Sequence, residues 1–251
     1  MKVVVWAVLL AAFSVATVRA QDASAPAVAP VDTDKQIAAM QAKLDDWAQL
    51  GYYRDANKTL GPATPGENRV VFYGASITEF WGRNGSMFFP AKSYVNRGIS
   101  GQTTAQMVLR FRQDVVNLRP KVVVILAGTN DVAGNTGAMT PEMTENNWQS
   151  MADMAKVNGI KVIFASITPS TDFPWRKGLH PAEKIRALNA WLQGYCALRG
   201  LIYLDYYSAL VGPDGGMKSE YTVDGVHANV KGYEVMGPLA QAAIDKALTG
   251  H

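Results

Sequence analysis

The sequence of 251 residues holds one cysteine and three histidines. A lone Cys196 can close no intramolecular disulfide, so the fold must rest on its hydrophobic core. The apolar helical pattern around it, AEKIRALNAWLQGYCALRG, marks a buried structural thiol. His180, His227 and His251 are scattered, and no His/Cys/Asp cluster has ligand spacing, so neither a metal nor any other cofactor is expected. No G-x-G-x-x-G or Walker loop follows an apolar run, which removes nucleotide binding as a reading. No repeat of fixed period is present. Charge of one sign is also missing: a net charge of +3, spread along the chain, leaves no electrostatic footprint for nucleic acid.

What is present begins with MKVVVWAVLLAAFSVATVRA, a lysine followed by an uncharged apolar stretch and a Val-Arg-Ala end, the layout of a cleavable secretory signal over residues 1–20. Val3 to Val18 is shorter than the roughly 20 residues a spanning helix needs. No stable membrane anchor is expected after cleavage, and no cysteine near residue 21 offers a site for a lipid. Cleavage would remove Lys2 and Arg19 and leave 22 basic residues against 21 acidic. The expected location is therefore periplasmic or secreted. Residues 21–33, QDASAPAVAPVDT, read as a flexible linker. Residues 34–251 read as one domain with an N-terminal helix, in which Ile37, Met40, Leu44 and Trp47 recur at helical spacing before Gly51.

Beyond that helix, short apolar runs alternate with helical patterns. Strands are expected at RVVFYG, YVNRGIS, VVVILAG, KVIFASI and LIYLDYY. Helices are expected from Thr104 to Leu118, around Glu142 to Val157, from Ala182 to Leu198 and from about Val230 to Leu248, the last interrupted and kinked at Gly237-Pro238. VVVILAG and KVIFASI are apolar on both faces, as strands covered on both sides are. The expectation is a three-layer α/β/α sandwich around a five-stranded parallel sheet. In such a sheet ligands sit beyond the carboxyl ends of the strands.

After the first run comes Gly74-Ala75-Ser76-Ile77-Thr78. Ser76 suits a helix N-cap, and equally a nucleophile exposed at a strand-to-helix turn whose own N–H favours negative charge. Thr78 stands where a G-x-S-x-G elbow would have glycine, so the segment is not of that kind. A nucleophilic serine needs a base. His251 is the last residue, and His180 lies in GLHPAEK entering a helix; His227 follows Asp224 by three residues, a spacing at which a carboxylate can orient the imidazole. Asn130, in AGTND, is either a turn former or an amide donor to an oxyanion. Gly101, in NRGISGQTT, is either a plain turn or a place where backbone N–H comes close to a ligand. All of these fall after successive strands, where one cleft can gather them.

Taken together, the four ordered blocks GASIT, NRGISGQTT, AGTND and DGVH resemble those of the SGNH hydrolases, the GDSL family of lipases and esterases. The resemblance runs from about Arg69 to Leu248 and implies a flavodoxin-like fold and a serine esterase. By that likeness Ser76, His227 and Asp224 are similar to the catalytic triad, and the Ser76 N–H, the Gly101 N–H and the Asn130 amide to the oxyanion hole. Two departures stand out. Ala75 occupies the place where the family usually carries Asp, which removes an acceptor that would brace the loop but no triad member, and Ala228 follows the histidine where proline is common. Because of Ala75, a non-catalytic ligand- or carbohydrate-binding module on the same fold is the rival reading.

Aromatic residues crowd the segment after Ser76 (Phe80, Trp81, Phe88, Phe89) and the loop after the fourth strand (Phe173, Trp175). They suit an acyl pocket, a sugar platform or core packing, with Trp81 and Trp175 the candidates for substrate contact. No long apolar insertion resembles a lid, which favours short acyl chains over triglyceride. Export fits two partners, an acetylated carbohydrate or a phospholipid-like or other small acyl ester.

Overall fold

The structure, a computed structural model, describes residues 33–83 and 85–250, with the backbone alone at Lys43. The signal segment, nearly all of the linker and His251 lie outside the described residues. Two units are distinguished, one ending at Met40 and one from Gln41 onward. In the first, the described residues are helical.

Along the chain come α1 (Thr33–Asp45), α2 (Arg54–Leu60), β1 (Val70–Gly74), α3 (Ser76–Glu79), β2 (Tyr94–Gly98), α4 (Thr104–Asp114) and β3 (Val122–Leu126). They are followed by α5 (Thr129–Ala133), α6 (Pro141–Val157), β4 (Lys161–Ala165), α7 (Ala182–Arg199), β5 (Ile202–Leu204), α8 (Tyr206–Leu210) and α9 (Val230–Thr249). All five expected strands form, and each pairing between them is parallel, in the order β2-β1-β3-β4-β5. This is the doubly wound order of flavodoxin-like sheets, whose ligand crevice opens where the order reverses, at β1 and β3.

The strands are buried on both faces because alternate side chains feed two cores. Val71, Tyr73, Val123, Ile125, Val162 and Phe164 pack with residues of α4, α6 and α7. Val70, Phe72, Val122, Val124 and Ile163 pack with α9 and the segment after α3. Local chemistry sets several helix starts: Thr140 accepts the Met143 N–H at 3.2 Å with Pro141 in the first turn, and Asn229 accepts the Gly232 N–H at 3.0 Å.

The last helix departs from expectation. It runs unbroken from Val230 to Thr249 through Pro238. Tyr233, Met236, Ala240, Ile244 and Ala247, spaced three and four apart, are buried against the sheet on both sides of the proline. Packing along that stripe holds the helix together across the one backbone donor that proline lacks.

Register brings the strand ends into line. Gly74 pairs with both Gly98 and Leu126, Leu126 with Ala165, and Ala165 with Leu204. The chain after β1, β2 and β3 therefore leaves the sheet along one edge.

Candidate active site

Glycine makes the first turn possible. A Cβ at Gly74 would sit 2.2 Å from Thr78 Oγ1 and 2.6 Å from the Leu126 carbonyl, and one at Gly98 would sit 2.2 Å from the Glu79 nitrogen. With those atoms missing, α3 seats directly on the ends of β1 and β2. Its carbonyls are held from outside: Asn96 Nδ2 donates to Thr78 at 2.5 Å and Tyr233 Oη to Ile77 at 2.8 Å. Ser76 opens this helix, so its N–H belongs to the first turn and lacks an intrahelical acceptor. Ala75 makes no side-chain cap; the bracing comes from Asn96, Tyr233 and Glu79 instead.

His227 Nε2 lies 2.9 Å from Ser76 Oγ, and its Nδ1 lies 2.7 Å from Asp224 Oδ2. The same aspartate builds the loop it stands on, since Oδ1 accepts the Val226 N–H at 3.0 Å and the His227 N–H at 2.8 Å. Thr222 Oγ1 closes the turn on the His227 carbonyl at 2.8 Å. Partial burial pushes the Asp224 carboxyl up, but these hydrogen bonds and the imidazole beside it win, and it is held below the usual carboxylate range. A charged carboxylate, an imidazole and a hydroxyl thus stand in hydrogen-bonding sequence, a geometry able to draw a proton from Ser76. His180 is exposed, has φ +46°, and takes no part.

Asn130, 3% exposed, is fixed at both ends of its amide. Nδ2 donates to the Gln102 carbonyl at 2.9 Å, and Oδ1 accepts from Asn135 Nδ2 at 2.9 Å. One N–H of the amide remains to donate elsewhere. Gly101 sits between these groups with φ +79°, a left-handed conformation that explains the glycine; space does not, because the nearest atom to an added Cβ is 4.0 Å away. Beside Asn130, Asp131 is buried and its carboxyl is raised by desolvation. It accepts from the Thr104 N–H and hydroxyl, tying α5 to α4.

The two tryptophans part company. Trp175 is 44% exposed, its ring centroid is 6.0 Å from that of His227, and its Nε1 donates to Asn135 Oδ1 at 3.0 Å. Trp81 lies in the core instead. It is 5% exposed, packed on Phe72, Phe89 and Tyr233, with its N–H spent on the Met87 carbonyl at 3.0 Å. Phe80 reaches the site instead, with centroids 5.5 Å apart between it and His227. Phe80 follows Ser76 by four residues and caps its helix, its N–H donating to the Ser76 carbonyl at 2.8 Å, whereas Trp81 lies past the end of α3.

Glu79 and Asn135 carry roles that motif reasoning did not reach. Glu79 Oε2 accepts the Ser100 N–H at 2.7 Å and the Ser100 hydroxyl at 2.5 Å, while Oε1 accepts from Tyr52 Oη at 2.5 Å and Arg83 at 3.1 Å. Desolvation raises this carboxyl, yet the donors around it hold it below its ordinary range. One carboxylate thereby links the helix bearing Ser76 to the residue before Gly101. Among the described residues, no group of three His, Cys, Asp or Glu could hold a metal ion, and no helix is long and apolar enough to cross a membrane.

An all-parallel 2-1-3-4-5 sheet with a serine and a histidine joined at its carboxyl edge defines an α/β fold of the hydrolase type. Residues 72–235 match the GDSL-like Lipase/Acylhydrolase family, and the chain belongs to it. A GDSL-like lipase of Bacteroides thetaiotaomicron is similar at 46% identity, over 80% of this chain and 98% of that one, with a TM-score of 0.77. A Bacteroides fragilis protein assigned as an acylhydrolase is similar at 45% identity, over 81% and 99%, with a TM-score of 0.78. The uncharacterized lipoprotein YqeF of Bacillus subtilis aligns at 35% identity over 78 residues, 30% of this chain and about a third of its own length (32%).

Proposed function

We propose that this protein is a serine esterase that hydrolyses short acyl esters through an acyl-enzyme. The observation that carries the reading is the 2.9 Å contact between Ser76 Oγ and His227 Nε2, continued at 2.7 Å to Asp224. Ser76 Oγ attacks the ester carbonyl carbon as His227 Nε2 takes its proton, and Asp224 holds the ring and stabilises its charge. The negative charge on the carbonyl oxygen is met by the N–H groups of Ser76 and Gly101 and by the Asn130 amide. Collapse expels the alcohol, which takes the proton from His227 and leaves the acyl group on Ser76. Water then attacks that ester, His227 again removes and returns the proton, and the carboxylic acid departs.

Ala75 does not weigh against catalysis in this reading, because the turn it would have braced is held by Asn96, Tyr233 and Glu79. Export is part of the proposal, supported by the leader pattern of residues 1–20 and by similarity to a lipoprotein. The test is turnover of p-nitrophenyl acetate by wild type and Ser76→Ala. Turnover in the wild type and near-complete loss in the variant supports the esterase; equal rates sink it.

A further inference from the structure

Beside Gly101 opens a cleft of about 670 Å³, lined among others by Trp47, Tyr52, Ser100, Asn135, Thr136 and Trp175. One wall is built by residues 46–52, upstream of the segment that matches the family. That wall is not a loose strap. Gln106 Nε2 donates to the Trp47 carbonyl at 2.6 Å, Gln102 Nε2 to the Ala48 carbonyl at 3.0 Å, and Gln113 Nε2 to the Leu50 carbonyl at 2.6 Å. Tyr52 Oη is bound to Glu79, and Asp46 caps the turn by accepting the N–H groups of Leu50 and Gly51. The segment is thus fixed to the same helix, α4, and the same carboxylate that position the loop around Gly101.

The cleft is also lined by Trp175, stacked on Phe173 with centroids 5.2 Å apart and pinned through Asn135 to the Gly101 carbonyl and to Asn130. Trp47, Tyr52 and Trp175 are 41%, 48% and 44% exposed, so three aromatic residues, two of them with side chains pinned by hydrogen bonds and the third by its backbone, leave nearly half of their surface in water. The same cleft is lined by Asp46, Gln49, Asn135 and Thr136. An acyl chain laid here would strip water from a carboxylate and several amides and return no hydrogen bond. A pyranose ring meets both kinds of surface at once: its C–H faces lie on indole and phenol rings, and its hydroxyls reach carboxylate and amide groups around the rim.

We propose that this cleft is a saccharide subsite, which receives the sugar that forms the alcohol part of the ester beside the scissile bond. The proposal rests on the assignment of Ser76 as nucleophile for its place in the reaction, but the binding itself does not depend on turnover.

The experiment titrates the full chain with unacetylated tetrasaccharides of xylose, glucose and N-acetylglucosamine, and with decanoate, following tryptophan fluorescence. Each is also tried as an inhibitor of p-nitrophenyl acetate hydrolysis. At least one saccharide is expected to give a saturable change below about 10 mM and to inhibit competitively. Trp47→Ala should weaken that binding about tenfold or more, the loss of one stacked ring, and Trp47→Phe should recover most of it. Binding of no saccharide by wild type overturns the proposal, as does tighter binding of decanoate at the same place, or a Trp47→Ala protein with wild-type melting temperature and wild-type affinity. Should a saccharide bind while wild type fails to hydrolyse any ester, the cleft stands and the nucleophile assignment falls.

Discussion

Asn135 Nδ2 donates to Asn130 Oδ1 at 2.9 Å and thereby decides which way the Asn130 amide faces. With its oxygen occupied and one N–H on the Gln102 carbonyl, the remaining N–H of Asn130 has a single direction left. Asn135→Ala should therefore lower kcat by about tenfold to a hundredfold through loss of orientation, and change KM less. Asn130→Ala, which deletes the donor, should cost about 10² to 10³ in kcat. Steady-state kinetics on p-nitrophenyl acetate, with circular dichroism to confirm folding, distinguishes the two.

Two glycines should respond differently to alanine. At Gly98 the added methyl meets backbone, the Glu79 nitrogen at 2.2 Å, and α3 must move off the sheet. Gly98→Ala should destabilise by about 1–3 kcal/mol or more and lose activity with it. At Gly101 space is available but φ is +79°, so Gly101→Ala should cost about 1–2 kcal/mol in strain and reduce kcat out of proportion to stability. Urea denaturation beside kinetics checks both.

Glu79→Gln replaces a carboxylate that accepts from Ser100, Tyr52 and Arg83 by an amide that must turn a donor toward one of them. Its side chain is 6% exposed, so water cannot compensate. A stability loss of about 1–3 kcal/mol is expected, together with reduced kcat, because Ser100 precedes Gly101. Glu79→Asp, which keeps the charge but shortens the reach, should fall between.

Acid should unfold the protein through the same groups. Asp224 and Glu79 are held below the usual carboxylate range, so the native state gives up these protons more readily than the unfolded chain. Their contribution is complete above the ordinary carboxylate pKa, about 4, and is lost as pH falls through the lower native values. Asp131 is raised by burial and has the opposite sign, partly offsetting the loss. Urea midpoints measured from neutral pH downward should drop below about pH 4, with a shallower slope in Glu79→Gln.

Much of this was legible because the cues are local. Doubly apolar runs such as VVVILAG gave the strands of a covered parallel sheet, and those strands ended where Ser76, Gly101 and Asn130 stand. His227 could be singled out since few histidines compete and Asp224 is three residues away. Contacts between distant segments were another matter. Nothing near Asn135 announces that it will reach Asn130 and Trp175, and Tyr52 meets Glu79 across 27 residues. Trp81 stands next to the site in sequence, but the chain past the end of α3 carries it into the core with Phe72 and Tyr233. Pro238 likewise obeys the packing of α9 rather than its own preference.

The most direct measurement is reaction of the full chain with a fluorophosphonate, followed by peptide mapping. A hydroxyl activated by the imidazole 2.9 Å away should give one adduct, on Ser76, and His227→Ala should abolish it while the protein stays folded. An unlabelled wild type, an adduct on another serine, or undiminished labelling in His227→Ala would contradict the account.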